Sequence, residues 1–326
     1  MKLPSFIIAS AKKTWKWQWI QMMNYLAPSD GNGNYSRPQN SNIDSIKIDP
    51  KKIRIRSKNN LPILFIGKSC PWAHRTWLMI EICSLHEDII LKNVLPNKEK
   101  GLWEIEEKIL GCKYLNDVYS LCGFSLSHRA TVPTLFDPVG TQKNYPEIIG
   151  NESTKLVEIF SNYSTLKGGV NMNPTHLKSE IDSWDLLFND SLNNGVYKCG
   201  FARNQNAYNK AIEDLFSSLD TLEKSLEKKG PWICGEMITI ADVRIFPTLI
   251  RWESVYQPFF GCSKKPLWEY KNIFEWRKRF FNFKNISKTC NTETWRKDYY
   301  GSLFPLNPRG IIHEGPDIEL IVKGAN

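Results

Sequence analysis

No C-x-x-C pair occurs in this sequence, although it holds eight cysteines, at positions 70, 83, 112, 122, 199, 234, 262 and 290. Cysteines scattered singly exclude a zinc ribbon or a disulfide framework and suit a reducing compartment. Cys70 and His74 are four residues apart, but two ligands alone do not make a metal site, and no metal is expected. Long apolar runs are also missing. Nothing approaches the ~18 residues needed to cross a bilayer, so a soluble protein with no membrane partner is expected. Acidic residues are absent until Asp30, whereas Lys12, Lys13 and Lys16 precede it. That bias fits an organelle transit peptide. Trp15, Trp17, Trp19, Met22 and Met23 argue instead for a segment that packs on a folded body. A secretory signal is excluded, because no apolar core precedes a small-residue cleavage site. There is no internal repeat and no low-complexity tract.

What is present describes a globular protein. A chain of 326 residues accommodates two ordinary domains, and 41% hydrophobic with 24% charged residues is enough to build cores for both. The net charge of +9 includes a cluster at Lys47, Lys51, Lys52, Arg54, Arg56 and Lys58. Ile46, Ile48, Ile53 and Ile55 alternate with it, which reads as the solvated edge of a strand-like stretch. Elsewhere bases and acids are interspersed and follow no nucleic-acid motif, so no nucleic-acid partner is expected. Excess positive charge suits a small anionic substrate.

The chain changes character midway. Residues 29–41 are loop-like, rich in Gly, Asn and Pro. Leu61-Pro-Ile-Leu-Phe-Ile66 reads as a buried strand, 71–85 as a helix and Ile89-Ile-Leu91 as a short strand. Thr131-Val-Pro-Thr-Leu-Phe136 reads as another strand, and a helix begins around Glu152. This is an α/β unit. From Pro174 the patterns are helical. Over 206–228, Ile212, Leu215, Phe216, Leu219, Leu222 and Leu226 form one apolar stripe, stopped by Gly230-Pro231. Thr239 and Asp242 read as a capping box opening the next helix, with a kink expected at Pro247.

The chemistry centres on Gly67-Lys-Ser-Cys-Pro-Trp-Ala-His-Arg75. Pro71 fits the first position of a helix, where its missing N–H is no loss. Cys70 then caps the helix, where the free N–H groups favour a thiolate and lower its pKa. Position 73 is Ala, where a dithiol oxidoreductase carries its second cysteine. A mixed disulfide on Cys70 therefore needs an external thiol, for which glutathione is the natural candidate.

Cys-Pro-Trp-Ala-His-Arg (70–75), Thr-Val-Pro (131–133) and Asn-Glu-Ser (151–153) resemble the glutathione-transferase superfamily. Asn194-Gly-Val-Tyr-Lys-Cys-Gly-Phe-Ala202, Phe246-Pro-Thr-Leu-Ile-Arg251 with Val255-Tyr256, Asp298-Tyr-Tyr-Gly-Ser302 and Leu306-Asn-Pro-Arg-Gly-Ile-Ile312 with Gly315-Pro316 resemble its Xi class, the glutathionyl-hydroquinone reductases. The likeness spans about residues 32 to 316. It implies the glutathione-transferase fold: an α/β thioredoxin-like N-terminal domain (61–165) and an all-α C-terminal substrate domain (174–300). An extension (1–60) and a tail (301–326) flank them.

The resemblance also implies roles. Cys70 would be the nucleophile and Tyr197 the proton donor to an aromatic substrate, with Tyr256 and Tyr299 lowering the nucleophile's pKa. Arg129, Ala130, Thr131, Val132 and cis-Pro133 would run along glutathione, and Glu152 and Ser153 would receive its γ-glutamyl group. Trp103 would stack on glutathione, although the family's Gly-Trp-x-Phe segment is Gly101-Leu-Trp-Glu-Ile105 here, shifted by one. The implied activity is reduction of S-glutathionylated hydroquinones through a Cys70–glutathione mixed disulfide. Glutathione would be the co-substrate, aromatic glutathione conjugates the partners, and the protein a cytoplasmic homodimer, or stromal if the N-terminus is a transit peptide. The alternatives are an omega-like deglutathionylase or dehydroascorbate reductase, and a non-catalytic interaction module of the same fold.

Overall fold

The computed structural model describes residues 3–38, 60–125, 127–140 and 145–323. The basic stretch around Lys47 to Lys58 lies outside them.

An all-apolar run forms the centre of a six-stranded sheet. β1 (Ile63–Ile66) is buried at every position, as an apolar stretch covered on both faces must be. It pairs in parallel with β2 (Ile90–Asn97) and antiparallel with β5 (Thr134–Asp137). The order across the sheet is β4-β3-β2-β1-β5-β6, with β3 at Leu102–Ile109, β4 at Cys112–Tyr114 and β6 at Glu147–Gly150. α1 (Ser5–Leu26) precedes the sheet. α2 (Pro71–Ile82), α3 (Leu115–Leu121) and α4 (Ser153–Leu166) are interleaved with its strands.

Several boundaries differ from the sequence reading. The strand placed at Ile89–Leu91 starts at Ile90 and continues to Asn97, where it turns back as β3. That hairpin is polar, so periodicity conceals it. It is held by cross-strand partners instead: Lys92 with Glu107 at 2.6 Å, Asn93 with Glu106 at 2.9 Å and Asn97 with Glu104 at 3.0 Å. β5 begins at Thr134 rather than Thr131. Pro133 has no N–H to give a ladder, and the Thr131–Pro133 segment, with its cis Val132–Pro133 bond, is left free at the sheet's end. α2 stops at Ile82 rather than residue 85, with Ser84 at a positive φ of 53°.

The helical half begins with α5 (Lys178–Phe188), whose end unwinds into a π-helical turn, Asn189–Asn193, leading to α6 (Gly195–Phe201). α7 (Gln205–Lys229) buries Leu215, Phe216, Leu219, Leu222 and Leu226, the stripe its spacing demands. α8 (Ile240–Leu249) is buried throughout and contains Pro247. It gives way to a second π-helical turn, Trp252–Tyr256, and α9 (Gln257–Phe260). α10 (Lys271–Phe281), α11 (Thr292–Ser302) and α12 (Ile318–Lys323) complete the described chain. α2 packs against both α4 and α8, which joins the two halves.

α1 departs from expectation. Its last turns do pack, with Met23 and Ala27 fully buried and Trp19 Nε1 donating to Pro305 O at 2.9 Å. Trp15 and Trp17, expected to pack as well, are 46% and 62% exposed. They sit on turns of the helix that extend past the surface to which its end is anchored.

The capping box behaves as the sequence predicts and extends further. Asp242 is fully buried and accepts from Thr239 N (2.8 Å), Thr239 Oγ1 (3.1 Å), Ile233 N (3.0 Å) and Trp276 Nε1 (2.8 Å). One carboxylate thereby starts α8, fixes the preceding loop and anchors α10. Asp242→Ala strands those donors in a dry interior. It should lower unfolding stability by about 3 kcal/mol or more in urea titration. A loss below about 1 kcal/mol would show that the loop and α10 are held by other contacts.

Candidate active site

Cys70 follows the turn that leaves β1. Its N–H donates to Gly67 O at 2.9 Å, and its own carbonyl accepts from His74 N at 3.0 Å, so it is the N-cap of α2 with Pro71 at the first helical position. Across from it lies the free Thr131–Pro133 segment, and the Cys70 thiol donates to Val132 O at 3.6 Å. The sulfur borders a cavity of about 730 Å³ between the two halves.

The sequence places a low-pKa thiol here. The structure reverses that direction. Burial pushes the Cys70 thiol above its usual value. The Ala73 and Trp72 N–H groups, together with the charges of Arg37 and Arg251, pull the other way without overcoming it. The helix terminus acts as expected, but desolvation of the sulfur outweighs it.

The cavity gathers nearly all the residues singled out by sequence. Cys70, Trp103, Arg129, Ala130, Thr131, Val132, Pro133, Glu152, Ser153 and Tyr197 all border it. Trp103 reaches it from β3, the hairpin strand that the sequence reading missed. Its ring stands against Gly67, where a Cβ would come within 2.8 Å, so a glycine is required for the tryptophan to stand beside the Cys70 turn. Glu152 caps α4, accepting from Thr154 N at 3.4 Å. Ser153 Oγ accepts from Arg75 Nη1 at 3.3 Å.

Tyr256 and Tyr299 do not line the cavity. They stand behind Tyr197, whose hydroxyl is 2.7 Å from that of Tyr299, and Tyr299 is 3.1 Å from Tyr256. Three elements far apart in sequence, α6, the second π-helical turn and α11, thus deliver three phenols to one point. Burial holds Tyr197 and Tyr299 well above the usual tyrosine range and raises Tyr256, and the sulfur of Cys70 adds to the effect on Tyr197 and Tyr256. All three are neutral donors near neutrality. Phe260 packs edge-on to Tyr197 at 5.4 Å, and a Cβ at Gly200 would collide with its ring.

Two contributors were not legible in the sequence. The first is the arm after α1. Arg203 and Asn204 dock it, Arg203 N donating to Gly33 O at 3.0 Å and Asn204 Nδ2 to Asn32 O at 2.9 Å. The arm then brings Tyr35 and Arg37 to the cavity. Tyr35 meets Phe201 edge-on at 5.1 Å, and Arg37 stacks over Trp72 at 4.0 Å while donating to Asn194 Oδ1 at 3.3 Å. A loop rich in Gly, Asn and Pro announces a turn, not its destination. The second is the layer beneath Cys70. Arg251 Nη1 donates to His74 Nδ1 at 2.9 Å, and His74 Nε2 is 2.7 Å from Thr289 Oγ1, whose own proton goes to Ile286 O at 2.7 Å. An arginine can only donate, so His74 is neutral and carries its proton on Nε2. Burial and the Arg251 charge hold it well below the usual histidine range. Both ring nitrogens are committed, so His74 is not available as a base.

Among the described residues no cluster of three metal-ligating side chains occurs, and no helix is long and apolar enough to cross a membrane.

Comparison with known proteins accords with this geometry. A family model described as Glutathione S-transferase, C-terminal domain, matches residues 205–279. The glutathionyl-hydroquinone reductase PcpF of Sphingobium chlorophenolicum is 33% identical over 264 residues, covering 78% of this chain and 82% of that protein. The glutathione-bound structure of YqjG, a glutathione transferase homolog from Escherichia coli K-12, superposes with a TM-score of 0.73 at 32% identity, covering 81% and 88% of the two chains. The glutathione S-transferase Xi of Phanerochaete chrysosporium gives a TM-score of 0.75 at 27% identity, covering 88% and 94%. With a relative this similar over most of both lengths, and with the sheet, the helical half and the Cys70 turn arranged as described, the chain belongs to the Xi class of the glutathione-transferase superfamily.

Proposed function

We propose that this protein reduces S-glutathionylated hydroquinones with glutathione, using Cys70 as nucleophile. The observation that carries the reading is the phenol cluster: Tyr197 borders the cavity of the Cys70 sulfur, backed by Tyr299 at 2.7 Å. A disulfide reductase has no use for such a donor, because a thiolate leaves without a proton. An aromatic carbon leaving from sulfur does need one.

In the first step the Cys70 thiolate attacks the glutathionyl sulfur. A Cys70–glutathione disulfide forms, the bond between that sulfur and the ring carbon breaks, and its electron pair stays on the ring. Tyr197 gives that carbon a proton. Tyr299, hydrogen-bonded to Tyr197, is placed to supply the replacement and to stabilise the phenolate left behind. Tyr256 feels the Cys70 charge directly, whereas any stabilisation of the Cys70 thiolate by Tyr299 would act through Tyr197 and Tyr256. In the second step a glutathione thiolate attacks the mixed disulfide, releasing oxidised glutathione and restoring Cys70.

Val132, freed from the sheet, offers backbone groups to the cysteinyl part of glutathione. The N-terminus of α4 at Ser153 suits its α-carboxylate, and Glu152 suits its ammonium. Trp103 supplies an aromatic face beside the tripeptide. Arg129, Ala130 and Thr131 continue that wall, and the Tyr35 and Phe201 rings border the region of an aromatic substituent.

Tyr197→Phe should slow reduction of glutathionyl-hydroquinones by ~10²-fold while barely touching reduction of a simple glutathione mixed disulfide. Equal losses on both substrates would make Tyr197 a structural residue. Cys70→Ser should bind glutathione in calorimetry but show no turnover, and substantial residual turnover would move the nucleophile to another cysteine. Glu152→Ala should weaken glutathione binding by ~1–3 kcal/mol. An unchanged affinity would leave Glu152 only its capping bond to Thr154.

A further inference from the structure

Among the described residues four arginines are almost completely buried, and three have acidic company. Arg277 Nη1 meets Glu253 at 2.7 Å, and Arg244 meets Glu158 at 2.9 Å and Asp185 at 3.5 Å. Arg75, bonded to Ser153, feels the charges of Asp185 and Glu152. Arg251 is different. It is 0% exposed, and among the described residues no carboxylate lies within 4 Å of it. Its acceptors are all neutral: His74 Nδ1 and Pro247 O at 2.9 Å and Lys68 O at 3.3 Å. The Trp295 ring covers it at 4.1 Å, and its Nε is buried with no acceptor among the described residues.

A guanidinium stays charged at any physiological pH. Removing one from water costs several kcal/mol, and neutral acceptors repay only part of that. A fully buried cation without an anion is therefore an unbalanced arrangement, and the imbalance points to a charge that appears only part of the time. The groups that feel its charge and can become anions are the thiols of Cys70 and Cys290 and the phenols of Tyr256 and Tyr299, and of these only Cys70 borders the cavity. Arg251 grips the turn just before it at Lys68 O and the helix just after it at His74. The other groups around the sulfur are the Trp72 and Ala73 N–H groups, Val132 O, the exposed Arg37 on the arm, and the phenols of Tyr197 and Tyr256. Of these only Arg37 is a cation, and it adds its pull on the sulfur to that of Arg251, but from an exposed side chain that salt can screen.

We propose that Arg251 is the built-in counter-ion of the Cys70 thiolate, a positioning residue that never touches substrate but makes ionisation of a buried sulfur feasible. The inference rests on Cys70 being the nucleophile. It explains how a thiol that burial holds in its protonated form can still be drawn on: the charge missing from the Arg251 site is the one that ionisation supplies. The same cation also favours the anionic forms of Tyr256 and Tyr299, the phenols that back Tyr197.

The test compares Arg251→Met and Arg251→Lys with the intact enzyme. Alkylation of Cys70 by iodoacetamide is followed across pH by mass spectrometry of the Cys70 peptide, and kcat/KM for a glutathionyl-hydroquinone is measured in parallel. Arg251→Met should raise the apparent thiol pKa by ~1 unit or more, so that kcat/KM near neutrality falls ~10-fold or more and recovers as pH approaches that pKa. Arg251→Lys, which keeps the charge, should retain most of the activity. A loss that is the same at every pH, with an unmoved thiol pKa, would reduce Arg251 to a structural brace and overturn the proposal. If Cys70→Ser proves active, the underlying reading fails instead, and the two failures are distinct. Should Arg251→Met not fold, thermal melting of Cys70→Asp against Cys70→Asn tests the same point with Arg251 in place. A carboxylate at position 70 should melt at or above its neutral isostere. If it melts well below, the site does not welcome an anion and the proposal fails.

Discussion

One carbonyl oxygen, that of Lys68, joins the two halves of this protein at the point where the chemistry is placed. It accepts from Arg251 Nη2 at 3.3 Å and from Trp295 Nε1 at 3.2 Å, both from the helical half. The turn that presents Cys70 therefore belongs to the sheet by sequence and to the helices by bonding. Arg251 extends the grip through His74 into the first turn of α2. Its other anchor, Pro247 O, lies near the end of α8, the helix whose start is fixed by Asp242. The position of the sulfur relative to the phenols is set by this chain of donors rather than by the sheet alone.

The cavity follows from that junction. Each half brings one kind of chemistry: the sheet supplies a thiol at a helix start, a freed backbone segment and the Glu152–Ser153 helix terminus. The helices supply phenols and a buried cation. The π-helical turns contribute as well. Asn189–Asn193 leads directly into α6, which carries Tyr197, and Trp252–Tyr256 carries Tyr256 itself. A widened turn redirects the side chains that follow it, and here both such turns stand beside the same cluster.

Much of this was legible in the residues. Cys70-Pro71 after an apolar strand announces a helix cap, and Thr239 with Asp242 announces another, because both patterns are local and solve a local problem of unpaired N–H groups. The apolar stripe of α7 is legible for the same reason. What sequence concealed was non-local. The β2–β3 hairpin is held by polar cross-strand pairs, and nothing in their spacing marks a buried face. Trp15 and Trp17 look like packing residues, yet their turns reach past the surface that Met23 and Trp19 use. The direction of the Cys70 pKa could not be read because the helix terminus is written in the sequence, whereas the desolvation opposing it is a property of the folded chain around the sulfur. Arg251 sat in a recognised motif, but the absence of an acid beside it is a property of the fold.

Gly200 shows how such a site is constrained over evolutionary time. It faces Phe260 so closely that even one added methyl group would have to displace the ring, and that ring supports Tyr197, Phe201 and Tyr299. The position does not border the cavity, yet any larger residue there would tilt Tyr197. Drift at 200 is open only to lineages that first acquire a smaller side chain at 260, so the two positions are expected to change together or not at all. The site is thereby tied to the history of a pair of residues packed directly behind Tyr197.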